Sequence, residues 1–172
     1  MNQNAGFSPK TITGDYYFEP DIYSIELTKI FAQTWQYVGH VSMLPSNSTY
    51  ITRKVAEESI IILKDSNGKI KAFYNVCQHR AHQLLQGEGK LSKVIRCPYH
   101  MWGYDDCGSL IIARGTETIE DFDKETINLT PVKLEILCGF IFVNLDSNAE
   151  TVIGLGYFFT PEFLWFDLYF IF

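Results

Sequence analysis

Cys77-x-His79, then seventeen residues, then Cys97-x-x-His100: this spacing constrains the chain more than any other feature of its sequence. The stretch "NVCQHRAHQLLQGEGKLSKVIRCPYHMWGY", Asn75 to Tyr104, holds two of the four cysteines and three of the four histidines among 172 residues. Each of two short segments offers one soft thiolate and one imidazole, so a fold that brings the segments together assembles a four-donor site. Two centres suit that donor set: one Zn²⁺ held tetrahedrally by all four side chains, or a [2Fe-2S] cluster with both thiolates on one iron and both imidazoles on the other. In ordinary zinc fingers the paired cysteines lie two to four residues apart on one knuckle, whereas here each loop supplies one Cys and one His. The cluster fits the spacing better.

The sequence around the motif reads as β structure. "TYITRKV", "SIIILKD", "KIKAFYNVC", "KVIRC", "LIIARG", "VKLEI" and "GFIFVNLD" are short runs rich in Ile, Val, Phe and Tyr, separated by turn residues. The expected fold is mainly β, a small antiparallel sandwich or barrel. Asp65-Ser66-Asn67-Gly68 and Asp105-Asp106-Cys107-Gly108 supply hairpin turns, because Asn and Gly tolerate positive φ. Ahead of the strands, Tyr23, Leu27, Ile30, Phe31 and Trp35 recur at helical spacing behind Pro20 and Asp21, which predicts a helix to about Trp35 with one face on the core. Residues 1 to 15 read as a loose arm and the acidic stretch 116 to 130 as a solvated loop.

At 47% hydrophobic and 20% charged residues, the chain has the composition of one globular domain, and its net charge of -6 argues against general nucleic-acid binding. The N-terminus "MNQNAGFSPKTITG" has no basic segment followed by an apolar run, so a cytoplasmic protein with no membrane anchor is expected. In that compartment clustered Cys and His read as metal ligands rather than disulfide partners. The tail "TVIGLGYFFTPEFLWFDLYFIF" contains Pro161, Glu162 and Asp167, which make it a poor membrane span and suggest an amphipathic helix from Pro161.

With the four ligands, Pro98 and the flanking runs in view, the sequence resembles the Rieske iron-sulfur family, whose pattern is C-x-H, fifteen to seventeen residues, then C-x-x-H. Rieske proteins of respiratory and photosynthetic complexes carry an additional disulfide between the loops. The matching positions here are His82 and Tyr99, so that bond is impossible. "CPYHMW" at Cys97 to Trp102 and "IFAQTWQYVGHVSMLP" at Ile30 to Pro45 look like the oxygenase branch, and over roughly residues 16 to 150 the likeness is closest to enzymes of quaternary ammonium substrates such as carnitine or betaines. Aromatic substrates are the other class the family takes. The resemblance implies a Rieske-type β-sandwich with an N-terminal helix, divided into an arm and helix (1–40), the Rieske [2Fe-2S] domain (41–150), and an aromatic-rich tail (151–172) where a catalytic domain would begin.

In such enzymes the catalytic domain holds a mononuclear Fe(II) on two His and one carboxylate. No His follows His100, so that iron belongs to a domain lying outside this sequence. The implied partners are an NAD(P)H-dependent reductase or ferredoxin as electron donor, and other copies of the chain in a homotrimer. Two rival readings stand beside this one: a stand-alone Rieske ferredoxin-type carrier, and a zinc-stabilised structural domain.

Within the Rieske reading, Cys77, His79, Cys97 and His100 are the metal ligands, with the two imidazoles on the more exposed iron. Tyr104 is placed to hydrogen-bond a cluster sulfur, or else simply packs in the sheet, and Trp102 shields the cluster. His82 is read as a structural or surface residue, and His40, ahead of the first strand, as a packing or hydrogen-bonding one. Cys107 and Cys138 are expected to be buried free thiols. Gly87 and Gly89 are expected to turn the chain between the two loops, without forming a phosphate loop.

Overall fold

The computed structural model describes residues 11–152. Ten strands follow a 3-10 turn (Gly14–Tyr17) and a short helical segment: β1 (Gln36–His40), β2 (Thr49–Val55), β3 (Glu58–Lys64), β4 (Ile70–Tyr74), β5 (Glu88–Lys90), β6 (Ile95–Arg96), β7 (Gly103–Tyr104), β8 (Leu110–Ile112), β9 (Lys133–Leu137) and β10 (Phe140–Asn144). They form three antiparallel sheets, ordered β1-β10-β9, β4-β3-β2-β5 and β6-β7-β8. The fold is mainly β and antiparallel, as the short runs rich in Ile, Val, Phe and Tyr imply.

β3 organises the interior. Its run Ile60-Ile61-Ile62-Leu63 is buried throughout. Successive side chains of a strand point to opposite faces, so one strand can feed two cores. Ile61 and Leu63 join Phe73, Ile95, Trp102, Tyr104 and both Cys77 and Cys97 in one cluster, while Ile60 and Ile62 join Val38, Ile51, Ile141 and Val143 in the other. Each fully buried Ile or Leu stabilises the fold by about 1.5–3 kcal/mol, so this one strand anchors both halves. The donor-bearing loops therefore sit directly on a packed core.

The turns form where the sequence places them. Asp65 N donates to Lys69 O (2.8 Å) and closes the β3–β4 hairpin, while Asp105 N donates to Ser109 O (2.9 Å) and closes β7–β8. Gly108 has φ +90°, and a Cβ there would lie 2.7 Å from the Phe73 ring, so only glycine fits. Gly87 (φ +65°) turns the chain as expected, but Gly89 lies within β5, opposite Tyr50.

Several expectations need correction. The helix α1 (Pro20–Glu26) continues as a wider π turn over Leu27–Phe31 and stops there, short of Trp35. Pairing of β1 with β10 takes over at Gln36, overriding the helical periodicity. No residue of the helical segment is buried, so it inserts no side chain into the core; just past its end Asn144 Nδ2 donates to Gln33 O (3.3 Å) and Trp35 Nε1 donates to Glu150 O (2.9 Å). His40 ends the first strand rather than preceding it, and its ring covers Gly139 at the β9–β10 turn. Its packing and hydrogen-bonding role stands, since Nδ1 accepts from Ser42 N at 3.2 Å.

The stretch 116–130 is mostly exposed, yet it buries Leu129 and sets Phe122 against Trp102. Cys107 and Cys138 are exposed, not buried, because each occupies a hairpin tip. Cys138 (φ +50°) and Gly139 (φ +83°) are the two loop residues between β9 and β10, the positive-φ pair that a tight type I′ hairpin demands. Among the described residues no helix is long and apolar enough to cross a membrane. The aromatic tail helix expected from Pro161 lies outside the described residues.

Candidate metal centre

Two loops with the same backbone frame present the four donors. In the first, Cys77 N donates to His82 O (2.9 Å) and Ala81 N donates to Cys77 O (2.9 Å). In the second, Cys97 N donates to Trp102 O (2.8 Å) and Met101 N donates to Cys97 O (3.1 Å). Both frames close on a left-handed residue four positions after the cysteine, Ala81 (φ +51°) and Met101 (φ +63°). The one-residue difference between C-x-H and C-x-x-H thus changes only where the histidine stands in a common turn.

The sulfurs and the imidazoles differ in environment. Cys77 and Cys97 are 2% and 1% exposed, whereas His79 is exposed and His100 half-buried. The two imidazole rings lie 4.6 Å apart, centroid to centroid. Burial pushes the Cys77 thiol up, and the neighbouring Cys97 adds to this, against the opposing hydrogen bonds from Tyr104 and the His79 backbone. Desolvation, then His100 and Arg80, lower His79, which favours the neutral imidazole that binds metal.

Tyr104 is wholly buried in β7, and its hydroxyl lies 3.3 Å from Cys77 Sγ while accepting from Gln78 N at 3.0 Å. Packing in the sheet and contact with the sulfur thus occur together. Since Gln78 N–H points at the oxygen, the hydroxyl proton is free to go to the sulfur. Burial first, and the Cys77 contact second, push the phenol well above its usual range, against the lowering effect of the Gln78 N–H. Trp102 is also buried and stacks on His79 at 4.7 Å and 10°, with its Nε1 donating to Arg114 O at 3.3 Å. His82 is exposed, its ring 5.6 Å from Tyr99, and contributes its backbone carbonyl to the first loop.

One positioning residue lies outside the sequence expectations. Asn75, 3% exposed, accepts from Leu84 N (3.1 Å) and Leu85 N (2.9 Å) and donates to Leu85 O (2.7 Å) and Ser59 Oγ (3.0 Å), tying both ends of the first loop together. Its only signal is a lone amide at the end of the apolar run "KAFYN", just before Cys77. In front of the imidazoles lies a depression of about 640 Å³, lined in part by Arg80, Met101, Arg114 and Ile119.

The donor set suits an iron-sulfur cluster. His100 Nδ1 is buried with no hydrogen-bond partner, an orphaned atom that a bond to metal would satisfy. Among the described residues no three His, Cys, Asp or Glu side chains are grouped to hold a single ion.

The profile of the Rieske [2Fe-2S] domain matches residues 34–123. The chain belongs to the Rieske family. The carnitine monooxygenase oxygenase subunit of Acinetobacter baumannii is 44% identical over 137 residues, which are 80% of this chain and 37% of that protein. A solved quaternary ammonium Rieske monooxygenase, described as giving insights into carnitine oxidation by gut microbiota and inter-subunit electron transfer, matches with a TM-score of 0.77 and 44% identity, over 81% of this chain and 38% of the other. Naphthalene 1,2-dioxygenase from Rhodococcus sp. matches with a TM-score of 0.74 and 31% identity, over 79% and 32%. This Rieske chain therefore spans 37% of the length of its curated Acinetobacter relative. Family membership decides the choice between zinc and cluster: the cofactor is a Rieske-type [2Fe-2S] cluster, and the mononuclear iron of Rieske oxygenases belongs to their catalytic domain.

Proposed function

We propose that this chain accepts and passes on single electrons as the Rieske domain of an oxygenase component whose substrate is a quaternary ammonium compound of the carnitine or betaine class. The observation that carries the reading is the division of the site: two buried thiols on the core side, two imidazoles on the solvent side. The higher identity to the carnitine enzyme, 44% against 31% for naphthalene dioxygenase, supports the quaternary ammonium class over the aromatic one.

In this reading Cys77 and Cys97 supply thiolates to one iron, and His79 and His100 supply neutral imidazoles to the other. The cluster, when bound, takes up and releases one electron at a time. Burial of the two sulfurs keeps water from them, while the exposed edge of His79 is the shortest route for an electron to or from a partner. The Tyr104 hydroxyl donates to Cys77 Sγ and favours the more negative, reduced state, which raises the potential. Trp102 stacks on His79, fixes its ring and screens the site from one side.

The domain division follows the same reading: arm and helix to residue 40, Rieske domain over 41–150, and a tail from 151 that leads towards a catalytic domain. An NAD(P)H-dependent reductase or ferredoxin supplies electrons in the cytoplasm, and the chains associate as a homotrimer in which electrons cross between subunits. With no histidine after His100, these 172 residues hydroxylate nothing by themselves.

The test mixes the cluster-loaded chain with NADH and the reductase of a carnitine monooxygenase, and follows bleaching of the visible bands. Rapid bleaching with no loss of carnitine is expected. Failure to bleach, while chemical dithionite still reduces the cluster, would remove this class of donor from the account.

A further inference from the structure

Away from the cluster loops, Cys107, Lys71, Asp106 and Asp65 form a second group of reactive side chains. Lys71 Nζ donates to Cys107 Sγ at 3.1 Å and pairs with Asp65 Oδ2 at 2.8 Å. Asp65 is 2% exposed, and its other oxygen accepts from Asn67 N and Lys69 N at 2.9 and 2.8 Å, so the carboxylate is fixed. A fixed carboxylate holds the ammonium against the sulfur and pushes the lysine up, keeping it charged. On its other side Cys107 Sγ donates to Asp106 Oδ1 at 3.8 Å, and Asp106 is itself anchored by Ser66 N at 2.7 Å. The thiol thus has a proton acceptor and a cation in contact with it, at an exposed hairpin tip.

Cys138 provides the internal comparison. It too is an exposed hairpin-tip thiol, with no hydrogen bond to its sulfur among the described residues.

We propose that the Lys71–Cys107–Asp106 group is an oxidative modification site, where a hydroperoxide converts Cys107 to a sulfenic acid. The thiol proton passes towards Asp106, and the sulfur, as thiolate beside the Lys71 ammonium, attacks one peroxide oxygen. The S–O bond forms as the O–O bond breaks. Sulfur gives up two electrons, the peroxide takes them, and the departing oxygen leaves as water after collecting the proton. For hydrogen peroxide the balance is one thiol plus one peroxide to one sulfenic acid plus one water.

The experiment exposes the purified protein to hydrogen peroxide with dimedone present and reads the adduct at each cysteine by peptide mass. This readout does not depend on electron transfer, so its failure leaves the Rieske reading intact and the reverse also holds. Labelling of Cys107 about tenfold faster than that of Cys138 is expected. Lys71→Met brings Cys107 close to the Cys138 rate, while Lys71→Arg keeps most of the advantage. Equal rates at the two cysteines of the unaltered protein overturn the proposal, and that comparison holds even if Lys71→Met does not fold. An unchanged Cys107 rate in folded Lys71→Met overturns it as well.

Discussion

The loops 77–82 and 97–102 are the same object in backbone and different objects in surroundings. Each closes with a cysteine N–H on the carbonyl five residues later and a left-handed residue at the fourth position. Only the first has a phenol hydroxyl on its sulfur, and only the second has a buried imidazole nitrogen without a partner. The presentation of ligands is thus set by a local frame that each loop builds for itself. The contacts that distinguish them come from residues elsewhere in the chain, Tyr104 on β7 above all.

The comparison breaks first if the two loops are not equally necessary. Cys77→Ser and Cys97→Ser are each expected to abolish cluster incorporation, read as loss of bound iron and visible absorption, because each removes a thiolate from the same iron. Retention of a full cluster by either variant would mean that the loops do not share one centre.

A change in the scaffold should touch neither loop. Asp65→Asn is expected to destabilise the fold by about 1–3 kcal/mol, measured by chemical denaturation, with the potential unchanged. Burial raises the Asp65 carboxyl, but the Lys71 bond and two backbone N–H groups outweigh it and hold the group below its ordinary value of 3.8. Its contribution is therefore present above pH 3.8 and lost as pH falls through the lower folded value. Lys71 is raised above 10.5, so its share is present below pH 10.5 and lost as pH climbs through the folded value. In Asp65→Asn the acid-side loss attributable to this group disappears.

Tyr104→Phe sharpens the asymmetry. It should lower the midpoint potential by an amount on the order of tens of millivolts, since the hydrogen bond favours the reduced state. An unchanged potential would confine Tyr104 to packing. Stripping the oxygen also leaves Gln78 N–H without its acceptor, which costs about 1 kcal/mol of stability and is read separately by denaturation.

The smallest effect probes the shared frame. Glycine relieves left-handed strain of about 1–2 kcal/mol but gives back 0.5–1 kcal/mol, roughly, through the freer unfolded chain. Ala81→Gly should therefore stabilise slightly, and Met101→Gly less, because the half-buried methionine also loses packing. A loss of stability in Ala81→Gly, seen as a lower Tm, would contradict the strain assigned to the frame.

What is legible in the sequence follows from signal length. The β-branched run of "SIIILKD" is legible as a strand, though not that both its faces are buried, and the donor spacing by itself marks the two loops. β7 has only two residues, and β1 is broken by a bulge between Tyr37 and Gly39, so neither offers alternation to read. Periodicity overshoots the end of the helix because Trp35 continues its apolar stripe, although strand pairing claims the next residue. Residue type alone puts Cys107 and Cys138 inside, while hairpin geometry sends both tips outward. The role of Asn75 is invisible in the sequence because Leu84 and Leu85 meet its amide through backbone groups, which leave no mark in residue type, and only the fold brings them there.

The central claim is that these two loops together hold one two-iron cluster with two sulfur and two nitrogen donors. Electron paramagnetic resonance of the dithionite-reduced protein, with iron and acid-labile sulfide analysis, tests it most directly. The account predicts a Rieske-type signal that appears only on reduction, with about two irons and two sulfides per chain. A colourless, resonance-silent protein that carries a single zinc would contradict it.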